Sequence, residues 1–383
     1  MTVATGHSHD LDSADAIAEA LDACADALGG ATPGAGLLFA GIDHDHQALL
    51  DGVEARYPGL PLVGGTGHGE LSSEGFAEDS VALMLLHSDH VEFGAGVGEG
   101  VRADPAGAAR AAVASARSGL TQPVRLGLTV PEGIGIDVMA VTDTLHAELG
   151  PETPVCGGTA GDQLRFERAY QFCNGNVYSD AVPVLLLAGP LRVATGVASG
   201  WVPMGGEHRL TKTEGQTVLE IDGRPVRDVW MQYFGSLDLH GARNQFALYP
   251  EGVEEREFYL CAPSHFDDDG RMVMHNPVIE GARMRFGDAA REQVLDAAGT
   301  SAAAARAGFE GTPDAALVFS CAGRHAWLGT QIGREHGLLR EHVGAEVPAA
   351  GFYTFGEICP LPGSPTPYTH RSTFVTVLIG EEA

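Results

Sequence analysis

Cations are what this chain most lacks. Of its 383 residues Lys212 is the single lysine, and 23 Lys plus Arg stand against 51 Asp plus Glu, for a net charge of −28. A surface of that sign repels phosphate backbones and anionic lipid, which argues against generic nucleic-acid and membrane-surface binding. The acids are scattered rather than run together, so they read as adaptation to salt, or as a GC-rich genome's preference for Arg over Lys, and not as a functional acidic patch. Long apolar runs are also missing: none approaches the roughly 18 residues needed to cross a bilayer. The polar start, Met1 to Asp10, has no basic stretch leading into an apolar one, so no secretory signal is expected. His7-Ser8-His9-Asp10 reads as a frayed tail. Cysteine is sparse, six in all, and no two share the C-x-x-C spacing of a metal or redox motif. Several lie inside apolar strands, as reduced buried thiols of a cytoplasmic protein would.

What is present describes an ordinary globule. With 44% hydrophobic and 19% charged residues, the chain is long enough for two domains or for one large core with duplicated parts. Duplication is written into it. Pro61-Leu62-Val63-Gly64, Pro154-Val155-Cys156-Gly157 and Pro348-Ala349-Ala350-Gly351 share one proline-to-glycine spacing, and nine residues beyond each proline stand Glu70, Gln163 and Glu357. The shared offset suggests one structural unit used three times, its post-glycine loops walling a common cavity.

The surrounding pattern agrees. The first copy reads as helix (13–28), strand (37–40), helix from an Asp43 N-cap to Arg56, strand (60–63), then strand 81–86 with 91–97 as its antiparallel neighbour. The second copy repeats that order from Asp104 to Ser199, and the third from Ala289 to Ile379. Between them, residues 200 to 288 read as short punctuated strands with one helix near Pro225–Tyr233. Trp201, Trp230, Tyr233 and Phe234 read as core fillers. The expectation is an α/β fold of two related domains, built from repeated helix-strand-helix-strand units with antiparallel extensions. A tail and helix (1–34) precede a first domain (35–205) and a second (220–383), with a hinge near Gly205-Gly206.

Several elements resemble the FIST family. In the first part these are Val63-Gly64-Gly65, Gly157-Gly158-Thr159-Ala160-Gly161-Asp162 and the Asn174-Gly175 turn. In the second they are Ser320-Cys321-x-x-Arg324 and Gly351-Phe352-Tyr353-Thr354-Phe355-Gly356-Glu357-Ile358. The resemblance implies a sensory module of signal transduction that binds a small ligand, with amino acids suggested for the family and some members acting as haem-based nitric oxide sensors. It also implies a separate output partner, since no kinase, cyclase or receiver pattern follows. One departure stands out: the family often has His-Asn before the final strand, where this chain has His370-Arg371.

In such sheets ligands bind beyond the carboxyl ends of the strands. Candidate ligand-binding residues there are Arg324, Glu357, Cys321, Gly351, Tyr353, Glu70, Gly157, Gly158, Asp162 and Arg165. Arg324 or Arg165 suits a carboxylate by its two-pronged fork, or else makes a structural ion pair. Glu70 and Glu357 suit an ammonium group, or else anchor loops by accepting backbone hydrogen bonds. The glycines permit close approach of a ligand or of another backbone. Cys321 at a strand end is a candidate nucleophile only if a base stands beside it, and otherwise core. In the haem alternative, His370 is the first axial candidate, with Arg371 for a propionate, and His68 is another.

Overall fold

The computed structural model describes residues 1–239, 243–249, 258–361 and 366–382. Its first unit runs β1 (Thr2–Ser8), α1 (Ser13–Leu28), β2 (Ala35–Ala40), α2 (His46–Arg56), β3 (Leu62–Thr66), β4 (Glu70–Ser72), β5 (Gly75–Ala77) and β6 (Val81–His87). The second has the same order: β7 (Glu92–Glu99), α3 (Pro105–Arg117), β8 (Val124–Thr129), α4 (Val138–Leu149), β9 (Val155–Gly158), β10 (Gln171–Cys173), β11 (Asn176–Tyr178) and β12 (Ala181–Ala188).

The third unit begins with β13 (Leu191–Ala198) and is then interrupted. The inserted elements are β14 (Val202–Glu214), β15 (Thr217–Ile221), β16 (Arg224–Pro225), α5 (Val226–Phe234), β17 (Gln245–Tyr249), β18 (Tyr259–Cys261), β19 (Pro263–Phe266), β20 (Met272–Met274) and β21 (Arg283–Asp288). The unit resumes as α6 (Arg291–Gly308), β22 (Ala315–Cys321), α7 (Ala322–Leu328), α8 (Arg334–Val343), β23 (Ala349–Thr354), β24 (Glu357–Pro360), β25 (Pro367–His370) and β26 (Phe374–Glu381).

Local chemistry explains most boundaries. Asp12 caps α1 by accepting from the amides of Ala14 and Asp15, and Gly29 closes it in the left-handed region. Asp45 caps α2 by accepting from Ala48, two residues past the Asp43 expected from sequence.

Three six-stranded sheets result, ordered β1-β6-β2-β3-β10-β11, β7-β12-β8-β9-β24-β25 and β13-β26-β22-β23-β4-β5. In each, the parallel pair at the middle (β2–β3, β8–β9, β22–β23) is flanked by antiparallel strands. The last hairpin of every sheet comes from another unit, in cyclic exchange. Consecutive strands are also split. The structure pairs β7 with β12 and β1 with β6, so 91–97 is not the neighbour of 81–86, and Thr2–Ser8 is an edge strand rather than a tail. Within β1, the imidazole of His7 is buried, with Nδ1 2.6 Å from Ser72 Oγ.

Inward side chains of all three sheets share one core, including Phe39, Met84, Leu128, Cys156, Leu185, Phe319, Phe352 and Val375. On the outside, α1 with α2, α3 with α4, and α6 with α8 each cover one sheet. The inserted strands make a fourth sheet with its own core around Trp230, Phe246 and Phe286. Trp201, Tyr249 and Leu260 tie it to Val294, Leu328 and Tyr353 of the third unit.

The repeated glycines serve this frame. A Cβ on Gly64, Gly157 or Gly351 would lie 1.8, 1.9 or 1.8 Å from the carbonyl oxygen of Leu38, Thr129 or Val318 on the adjoining parallel strand. Close backbone approach, not a ligand, is what each one permits. Gly351→Ala should therefore lose ~3 kcal/mol of unfolding free energy, an overpacking cost at the top of the usual range. Gly206→Ala is the control, since a Cβ there meets nothing within 4 Å. Urea melts of the two variants that coincide with the wild type would refute the claim.

Candidate functional site

The three units bring Glu70, Gln171 and Glu357 to equivalent positions. In register, Glu70 pairs with Phe352, Gln171 with Gly65 and Glu357 with Gly158, each one residue past a repeated glycine. Gln163, nine residues from its proline, is not the counterpart: it sits in the longer loop before β10 and donates to Asp79. All three true counterparts are fully buried. Glu70 Oε2 accepts from Ser80 N (3.2 Å) and Oγ (2.9 Å). Glu357 Oε2 accepts from Thr373 N (3.1 Å) and Oγ1 (2.7 Å), and Oε1 from Thr354 Oγ1 (2.8 Å). Gln171 Oε1 accepts from Ala181 N (3.2 Å). Each holds the start of the strand that follows its hairpin, so the loop-anchor alternative fits these carboxyls. Burial pushes Glu70 up to about 8 and Glu357 up to about 7.

Arg324 is likewise occupied. It is fully buried; Nε and Nη2 donate to Glu335 Oε1 (2.9 and 2.5 Å), Nη1 to the carbonyls of Ser199 and Ser372, and Nη2 also to Val294 O. With five donors and five contacts, nothing is left for a ligand carboxylate. Tyr353 joins the same network, its hydroxyl donating to Glu335 Oε2 at 2.5 Å. Asp162 accepts from the amides of Phe166, Glu167 and Arg168, which folds the loop before β10. Arg165 forks onto Asp43 at the surface. Gly157, Gly158 and Gly351 lie in buried strands. These candidates hold the frame together instead of meeting at one cavity.

His370 does not suit the axial role expected of it. His370 is fully buried in β25 with Nε2 2.8 Å from the carbonyl oxygen of Cys359, and burial pulls its pKa to about 4. It does not line the cleft described next, although its neighbour Arg371 does, so this histidine does not fit haem ligation there.

That cleft, about 320 Å³, opens where the carboxyl end of the three-sheet body faces the inserted sheet. The body supplies Ile134 and Ile136 before α4, Val138 at its start, Leu164 and Phe166, the Cys321–Gly323 corner, Thr354, Phe355, Arg371 and Ser372. The inserted sheet supplies Gln216, Ala262, Ser264, Val273, Met274 and His275. Phe166 stacks on Phe355 with ring centroids 5.0 Å apart. Arg371 is held from behind: Nε and Nη2 both donate to Asn276 Oδ1 (3.2 and 2.5 Å). His275 is exposed; desolvation of its ring, and next the Arg371 charge, pull its pKa to about 4, so it is neutral at pH 7. A larger groove, about 460 Å³, runs along the α1–β2 and α2–β3 turns, but it is a crevice between turns at the other strand ends.

Of the ten candidates, Cys321 alone lines the cleft. Burial, and next the Glu357 charge, push its thiol up to about 12. A neutral thiol is a poor nucleophile. Iodoacetamide at pH 7 should therefore leave Cys321 unmodified while it consumes free glutathione, as mass spectrometry of the tryptic peptide would register. Rapid stoichiometric labelling would restore the nucleophile reading. Phe166, Met274, His275 and Asn276 were not legible as site residues, because the inserted sheet's placement over the strand ends leaves no mark in local pattern.

The frame is thus one of exchanged units, with a cleft between body and insertion. The chain belongs to the FIST family: residues 34–224 match the FIST N domain and 228–360 the FIST C domain. FIST domains are sensory domains of signal transduction, and the role of this chain is sensory at that level. Uncharacterized relatives include a Methanocaldococcus jannaschii protein, 28% identical over 33% of this chain and 25% of its own length. A Mycobacterium bovis protein is 27% identical over 56% of this chain and 57% of its own. A Mycobacterium tuberculosis protein is 25% identical over 95% and 96%. The matches thus span less than two thirds of the first two relatives. A crystal structure of a cyanuric acid hydrolase from A. caulinodans aligns over 100% of this chain and 99% of that one, at 12% identity and a TM-score of 0.37. At that likeness no chemistry passes from one to the other.

Proposed function

We propose that this chain senses a small molecule held in the cleft between the three-sheet body and the inserted sheet, and relays its occupancy to a separate partner protein. One observation carries the reading: the cleft draws its walls from both matched parts. Ile134, Ile136, Val138, Leu164, Phe166 and Gln216 lie in the FIST N match, while Ala262, Ser264, Val273 to His275, Cys321 to Gly323, Thr354 and Phe355 lie in the FIST C match. A ligand touching the body and the inserted sheet together favours one arrangement of the two, which is what a population shift requires. No helix among the described residues is long and apolar enough to cross a membrane. The six buried cysteines support a cytoplasmic setting. An amino acid is the ligand class that the family resemblance suggests.

Thermal melts over a panel of amino acids and small organic acids test the reading. A true ligand at a hundredfold its Kd adds ~2.7 kcal/mol to stability. Ser264→Trp, which fills the cleft mouth from the inserted sheet, should abolish that gain. An undiminished gain in Ser264→Trp would move the ligand elsewhere and overturn the proposal.

A further inference from the structure

The lining of the cleft narrows the ligand, on the condition that the cleft is the sensory site. Its side chains are largely apolar, and among them Arg371 is the single charged group; no Asp or Glu takes part. Glu357 is close enough for its charge to interact with that of Arg371, but its oxygens are turned to Thr373 and Thr354 and it lies outside the lining. Arg371 has no carboxylate within salt-bridge distance among the described residues, in a chain with 51 acids. Asn276 takes two of its donor groups from the protein side and fixes the guanidinium in place, while Nη1 has no acceptor among the described residues. A fixed, half-buried cation in an apolar, carboxylate-free cleft is built for an anion.

The geometry points to a small monocarboxylate with an apolar body, an aryl or branched aliphatic acid, as the ligand. The carboxylate meets Arg371, and the body lies among Ile134, Phe166, Phe355 and Met274. A volume of about 320 Å³ is near the low end for ligand sites, so the body is small. A free amino acid fits worse, because its ammonium group would be desolvated in a lining with no carboxylate to receive it. The inference adds a charge rule to the sensory reading: one negative group, no positive one.

Isothermal titration with phenylacetate, phenylacetamide, phenethylamine and phenylalanine tests it. Phenylacetate is expected to bind at least tenfold more tightly than the other three. Arg371→Met should remove that preference, and Arg371→Lys, which keeps the charge but loses the fork and its hold on Asn276, should retain part of it. The Lys variant also covers the case in which Arg371→Met does not fold. Equal or tighter binding of the amide, the amine or the amino acid overturns the charge rule, and so does phenylacetate binding that survives Arg371→Met, or no phenylacetate binding at all. The two readings fail separately. If the amide or amine binds and Ser264→Trp abolishes it, the cleft stands and the monocarboxylate falls; if phenylacetate binds equally well to Ser264→Trp, the cleft itself falls.

Discussion

Arg324→Met should cost about 3–5 kcal/mol, since removing one member of a buried ion pair strands the other. Glu335 would stay fully buried, keeping the Ser320 and Tyr353 hydroxyls but no cation. The carbonyls of Ser199, Val294 and Ser372 would lose their donor at the same time. These contacts tie the end of β13, the start of α6, the turn before β26, and α8 to one side chain. That is why the loss should appear as a cooperative drop in the whole unfolding midpoint and not as local fraying. The pair itself is a weaker stabiliser than its rupture implies, because both charges were desolvated to form it. Arg324→Met combined with Glu335→Leu should therefore recover much of the single variant's loss. Urea unfolding of the single and double variants measures both effects. A single variant within about 1 kcal/mol of wild type, typical of an exposed pair, would show that the network does not bear on stability.

The same residue shows how far sequence reading reaches. Arg324 is recognisable as special, but a guanidinium that forks onto a ligand and one that forks onto Glu335 look alike until α8 is packed against the strand ends. The three proline-to-glycine segments are legible because spacing along one strand is local, and all three glycines abut a carbonyl on the neighbouring parallel strand. The count to Glu70 and Glu357 succeeds for the same reason. It fails in the second unit, where extra loop residues stand between Gln163 and Gln171. Helix α1 is legible to the residue because Asp12 and Gly29 bracket an amphipathic run. Strand exchange is not: whether β7 pairs with β6 or β12 depends on how the three units close, and periodicity is the same either way. The cleft was half visible. Cys321 and the Thr354-Phe355 corner lie within the quoted signature stretches, and Arg371 stands out as the departure from His-Asn, whereas the inserted strands that complete the wall are too short to announce a face.

The buried carboxyl of Glu70 gives the other large effect, and its sign follows from linkage. In the folded chain its pKa is pushed up to about 8, first by burial and against the hydrogen bonds from Ser80; the ordinary value is 4.5. Below pH 4.5 the group is protonated in folded and unfolded chains alike and costs nothing. As pH rises from 4.5 toward 8 the unfolded chain releases this proton while the folded one keeps it, so stability falls across that window and levels off above it. At ~1.4 kcal/mol per pKa unit the fall amounts to about 4–5 kcal/mol by pH 8. Glu70→Gln removes the titration. The second unit supports the exchange, since Gln171 already holds the equivalent position with its carbonyl oxygen on Ala181 N. The amide's extra protons add a cost that does not vary with pH, because Glu70 Oε1 has no partner among the described residues. What identifies the buried acid is thus the difference between variant and wild type as a function of pH. Urea melts from pH 4.5 to 8 should show that difference moving in favour of Glu70→Gln by several kcal/mol. Two curves that stay parallel across the range would mean that Glu70 ionises freely in the folded chain, and that its burial is not the cause of the shift.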